Sequence, residues 1–266
     1  MTALRITPLF AFGSRRSLRM IERNLLVYKH GWMVLLSGFF EPLFYLLSIG
    51  FGLGRLVGDV AGPGGQPIPY ALFVAPALLA ASSMNGAITE STFNFFFKLN
   101  YDKTFASILT TPMSPADISL GELAWALIRG ALYTIGFLAV MAIFGLARSP
   151  LVLLALPGAL LIGFAFAAVG MAATSFMRSW QDFDLIQLVI LPMFLFSGTF
   201  FPIDSLPVAA QVVVQLTPLY HGVDLLRTLS VGVVGPGTIV HVAYLAAMGL
   251  AGLAIVSRRL DRLLLK

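Results

Sequence analysis

Six long apolar runs organise the chain: Trp32 to Leu53, Tyr70 to Ile88, Leu123 to Leu146, Leu151 to Phe176, Leu185 to Phe201 and Thr238 to Val256. A hydrocarbon core of ~30 Å needs ~20 helical residues, so each run reads as a transmembrane helix. The pattern predicts an all-α polytopic integral membrane protein with six spans and no soluble domain of its own. The fifth run is short, and Pro192 within it predicts a kink or a break in the hydrogen-bond ladder. The first run follows Arg15, Arg16, Arg19 and Arg23 and has no small-residue cleavage site, so it is expected to be a retained span and not a signal peptide. Three regions follow: a tail and amphipathic helix over 1–31, a six-helix membrane domain over 32–257, and a tail over 258–266.

The connections divide into plain and unusual ones. Gly58 to Pro69 is too rich in Gly and Pro for a helix and reads as an external turn. Ser17 to Gly31 places Leu18, Ile21, Leu25 and Tyr28 or Val27 on one helical face and Arg16, Arg19 and Arg23 on others. Such a segment lies along the membrane interface, as an anchor or as a clamp on a cytoplasmic partner. In Glu90 to Gly121, Tyr101, Phe105, Ile108 and Leu109 fall at helical spacing, with Asp102 and Lys103 off that stripe, and the prolines of TTPMSP end the helix. Pro202 to Gly237 contains two apolar stretches, Val208 to Leu216 and Leu219 to Leu229, each too short to span. They read as re-entrant half-helices whose loose backbone ends face protein or a water-filled cavity.

Charge sets the orientation. Thirteen Lys and Arg fall in the first tail, the connections after spans two and four and the last tail, whereas three fall on the opposite side, with Arg129 inside span three. That asymmetry puts both termini in the cytoplasm. It also accounts for the net charge of +5 without nucleic acid. With 58% hydrophobic and 11% charged residues, the composition leaves lipid as the solvent for most of the chain.

Catalytic chemistry finds no foothold. There is no cysteine, no GxxxxGK[ST] phosphate loop, no HExxH and no GxSxG, and His30, His221 and His241 are far apart and on different predicted elements. Energy therefore has to come from a partner. Ionisable groups at membrane depth are the default functional candidates. Glu41 beside Pro42 is the deepest, either a hydrogen-bond partner for a neighbouring helix or a group facing a path; Glu122 and Arg129 stand two turns apart on span three. Spans two and five carry Met84, Asn85, Met193 and phenylalanines including Phe196, faces that suit an amphiphilic cargo and equally a helix interface. Gly158, Gly163, Gly170, Gly249 and Gly252 allow close helix approach. On the external side only Asp204, His221, Asp224 and Arg227 are polar enough to consider for an enzyme acting on lipid. The last three make one stripe, read as bonding the half-helices to each other. A secondary transporter or channel is disfavoured by the lack of inverted repeats and of a charged pore lining.

The basic amphipathic start, EPLFYLLSIGFGLG in span one, LTTPMSPADISLGELAWA entering span three, and FSGTFFPIDSLP with PLYHGVDLLR after span five together resemble the ABC-2 family of ABC exporter permeases. The likeness leans toward permeases of lipooligosaccharide and daunorubicin-type drug exporters and covers nearly the whole chain. It implies a bacterial plasma (inner) membrane subunit that pairs with a second permease, identical or homologous, and sits on two cytoplasmic ABC ATPase subunits. ATP and Mg2+ would be bound on those subunits and no cofactor on this chain. The resemblance makes Asn100, Tyr101, Asp102, Lys103, Phe105, Ile108 and Leu109 the coupling helix, with the Pro202 to Gly237 element closing the outer end of the path. The cargo it implies is a lipid, glycolipid or hydrophobic drug, with polysaccharide export in the same family and a lipid-modifying enzyme as alternatives.

Overall fold

A computed structural model describes residues 15–28, 40 and 42–264. Glu41, His30 and the side chains of Arg15 and Arg16 lie outside the described residues. The chain forms α1 (Arg15–Tyr28), α2 (Pro42–Val57), the strands β1 (Asp59–Ala61) and β2 (Pro67–Pro69), then α3 (Tyr70–Tyr101), α4 (Thr104–Ile108), α5 (Pro115–Ile143) and α6 (Pro150–Thr174). It continues with α7 (Phe183–Phe196), α8 (Val208–Gln215), α9 (Pro218–Val231) and α10 (Pro236–Leu264). Among the described residues four helices, α3, α5, α6 and α10, are long and apolar enough to cross a membrane.

The two shorter apolar helices explain the difference from six. The expected start of the first span, Trp32, lies outside the described residues, so α2 is seen only from Pro42. Helix α7 has 14 residues, about 21 Å at 1.5 Å per residue, and does not fill the run expected to reach Phe201. It ends at Phe196 because Ser197 leaves the helical region and Gly198 turns with φ +70°. Pro192 does not break it. At the other end of the chain, α10 runs to Leu264 with Leu260 buried, so the expected tail begins as a continuation of the last span. The Gly- and Pro-rich connection is a hairpin, with Val60 opposite Ile68 and left-handed glycines at 64 and 65 making its turn.

Helix α3 is the centre. It is buried on nearly every side from Tyr70 to Met84, as expected of a helix that is apolar all round. Around it pack α6, α9, α5 and α2, and α10 lies along much of the length of α6. Their approach is set by Gly252, where an added Cβ would stand 2.7 Å from the backbone of Ala168 and Val169. In lipid, where apolar burial gives no advantage between helices, such close backbone contact is a main source of association.

Helix α1 corrects the expected apolar stripe. Met20, Asn24 and Tyr28 turn toward α5, with Met20 and Asn24 almost fully buried. Leu18, Leu25, Leu26 and Val27 stay exposed. Arg19 extends outward and pairs with Glu22 at 2.7 Å, and Arg23 bonds Asn24.

Candidate functional site

A polar pocket opens between α2, α3 and α7, with a volume of about 310 Å³. Tyr45, Asn85, Thr89 and Gln187 supply its polar groups, and Ile88, Ile190, Leu191 and Phe194 its apolar ones. Asn85 and Thr89 are four apart, so one face of α3 presents both, and the Tyr45 and Phe194 rings meet at 5.9 Å across the pocket. None of the described lining residues is charged. Such a lining can hydrogen-bond hydroxyl or amide groups and cover an apolar body.

Of the residues expected on a path, Asn85 alone lines this pocket. Met84 points into the core and is fully buried, Met193 lines a separate apolar cavity, Phe196 is half-exposed, and Glu41 lies outside the described residues. Tyr45, Thr89 and Gln187 are not among the residues the sequence singles out, because in the apolar runs only Asn85 stands out as an uncharged polar candidate. Uncharged side chains with hydrogen-bonding capacity inside apolar runs were the available signal.

The connection after α3 is also rearranged. Helix α3 continues to Tyr101, with wide-turned π segments at Glu90–Asn94 and Phe97–Tyr101, features often found where a helix is adapted for function. Glu90 and Lys98, expected in a cytoplasmic connection, therefore sit on a helix facing α5. The expected single stripe of Tyr101, Phe105, Ile108 and Leu109 is broken at Lys103, whose φ is +52°. Asn100 and Tyr101 finish α3, whereas Phe105 and Ile108 belong to α4 and Leu109 follows it. Phe105 is buried against Phe95 at 5.0 Å, while Tyr101, Asp102, Lys103, Ala106 and Ser107 face outward. Pro115, expected to stop a helix, opens α5 at its first turn. Ser114 and Asp117 close a reciprocal cap there. Ser114→Ala is expected to lower stability by about 1 kcal/mol, read as a small drop in the thermal midpoint of the detergent-solubilised protein.

Behind that connection lies a buried, charge-balanced cluster. Lys98 Nζ is 2.6 Å from Glu122 Oε2 and 3.7 Å from Glu90 Oε1. Arg129 pairs with Glu90 and also donates to the hydroxyls of Tyr28, at 3.3 Å, and Tyr133, at 3.1 Å. Asn94 donates to Glu90 and Asn24 to Glu122. The cluster thus joins α1, α3 and α5. Glu122 and Arg129, two turns apart on α5, are paired with Lys98 and Glu90.

The two half-helices stand where the sequence put them, as α8 and α9, and their polar stripe has further partners. Arg227 is buried, donates to the carbonyls of Phe73, at 3.1 Å, and Gly198, at 2.7 Å, and lies 3.7 Å over the Phe73 ring. The His221 and His241 Nδ1 atoms meet at 2.8 Å, and His241 Nε2 stands 2.9 Å from Asp224 Oδ2. The stripe therefore binds α9 to α3 and α10, and His221 also bonds the backbone of Gln215 at the end of α8. Two histidines twenty positions apart become neighbours because α9 and α10 fold back on one another. Asp204 is exposed and outside this group.

A family model described as ABC-2 type transporter matches residues 17–230. Curated relatives include nodulation protein J of Rhizobium leguminosarum bv. viciae, 34% identical over 256 residues that cover 94% of this chain and 97% of the relative. Nodulation protein J of Rhizobium leguminosarum bv. trifolii is 36% identical over 222 residues, covering 83% of each chain. That of Sinorhizobium fredii (strain NBRC 101917 / NGR234) is 36% identical over 226 residues, covering 84% of each.

Proposed function

From the premise that the chain belongs to the ABC-2 type transporter family, as the membrane subunit of an ABC transporter, we propose that it moves an amphiphilic cargo outward, a lipid, glycolipid or hydrophobic drug. The observation that carries this reading is the uncharged pocket of Tyr45, Asn85, Thr89 and Gln187 beside Ile190, Leu191 and Phe194. Among the described lining residues an ion finds no compensating charge, whereas a neutral head group finds donors and acceptors next to apolar walls.

In this reading the chain makes six crossings of a bacterial inner membrane with both termini in the cytoplasm, α2 and α7 being parts of the first and fifth. It pairs with a second permease, identical or homologous, on two ATPase subunits that hold ATP and Mg2+. The outward-facing residues Tyr101 to Lys103, with Ala106 and Ser107, form the contact with the ATPase, and Arg19 and Arg23 hold α1 at the cytoplasmic surface. The half-helices α8 and α9 close the outer end.

Two experiments test this. Tagged chain from its native host should bring down an ATPase that has a phosphate loop, and its absence in mild detergent would count heavily against the reading. In vesicles with that ATPase, Asn85→Leu combined with Gln187→Leu should lower amphiphile transport on the order of tenfold or more, since each lost hydrogen bond is worth ~1 kcal/mol. Copurification should be unchanged. Unaltered transport would remove the pocket from the path.

A further inference from the structure

Helix α7 stands apart from the body of the protein. It is tied at its first turn by Phe183 against Phe93 and Phe96, and at its end by Phe194 against Phe200 and by the Ser197 hydroxyl on Thr217. Between those ties it has no broad packing against another helix among the described residues. The gap is a cavity of about 320 Å³. One wall is α7, with Ile186, Val189 and Met193; the other is α3 and α6, with Ile88, Val169 and Ala173. The single polar side chain in the lining, Thr92, already donates its hydroxyl to Ile88 O at 2.7 Å.

A gap of this kind inside a bilayer has few candidates to fill it. Water needs two to four polar partners, and the described lining offers one, the accepting lone pairs of the Thr92 hydroxyl. An empty gap forfeits the dispersion contacts of both walls. One turn of a helix about 10 Å across and ~5.4 Å long already exceeds that volume, whereas a flexible chain of roughly ten methylenes fills it at interior packing density. We propose that the slot between α3, α6 and α7 is a binding site for one acyl chain of a bilayer phospholipid. Ile88 and Ile190 line both this slot and the polar pocket, so the chain would prop α7, the wall that carries Gln187, Leu191 and Phe194.

The test uses the full chain in phosphatidylcholine nanodiscs, with a small fraction of the lipid carrying a diazirine in mid-chain and no cargo present. After photolysis, peptides containing Val169 to Ala173 and Ile186 to Met193 should carry about tenfold more adduct than those around Leu132 and Ile239, which are simply exposed on long apolar helices. Ala173→Phe from one wall, and separately Val189→Phe from the other, should remove that excess while leaving labelling at Leu132 and Ile239 unchanged. Slot labelling no higher than at Leu132 and Ile239 in the unmodified chain, or an excess that survives whichever variant inserts, overturns the proposal.

Discussion

Replacing Arg129 with Met is expected to destabilise the protein by about 3–5 kcal/mol, because it leaves the Glu90 carboxylate buried without its principal counter-charge. Glu90 is 2% exposed, and with Arg129 gone its nearest cation is Lys98, which is held more closely by Glu122 at 2.6 Å. The hydroxyls of Tyr28 and Tyr133 would lose a donor at the same time, loosening α1 from α5. The measurements are the yield of folded protein and its thermal midpoint in one detergent. Adding Glu90→Gln to Arg129→Met removes the stranded charge and should recover more than half of the loss. A double variant as unstable as the single one would mean that the pairing is not what Arg129 supplies.

A comparable loss is expected of Gly252→Leu. Its Cβ would stand 2.7 Å from backbone atoms of Ala168 and Val169, and backbone cannot swing aside as a side chain can. The two longest-packed helices would have to separate, which also parts Gly249 from Phe164. Overpacking of a core costs about 1–3 kcal/mol and occasionally more. In lipid the added leucine gains little by being buried, because the tails it leaves are equally apolar. Gly130→Leu is the matched comparison: it also lies in a long apolar helix, but an added Cβ there meets nothing within 4 Å. That variant should change the thermal midpoint hardly at all. Equal effects at both positions would show that glycine is used at 252 for something other than close approach.

Much of the membrane architecture was legible in order and composition. The apolar runs marked α3, α5, α6 and α10, and the small residues at 249 and 252 marked a helix contact that the structure places against α6. The pairing of two short helices after the fifth run was also readable, since prolines at 207 and 218 and apolar stretches too short to span left little else. Two features are not legible in periodicity or charge. Glu90 and Lys98 look like connection residues because charge normally marks the end of a span, yet here they continue α3 and are neutralised by Arg129 and Glu122 from α5. The coupling stripe failed at Lys103 for a backbone reason, a left-handed residue that periodicity does not register.

The sequence by itself determined that the chain lives in lipid, where its longest helices lie and that it carries no phosphate loop of its own. These follow from local properties: hydropathy over a window, the positions of proline and glycine, and a motif that is absent. Only the tertiary structure decided which charges neutralise each other, that His221 meets His241 and Asp224, that Asn85 and Thr89 share a pocket with Tyr45 and Gln187, and that α7 stands off from α3 and α6. The reason is that side-chain partners at membrane depth are chosen by how helices rotate and cross. That choice depends on close contacts such as Gly252 on Ala168, which join residues far apart in the chain and leave no periodic trace along it.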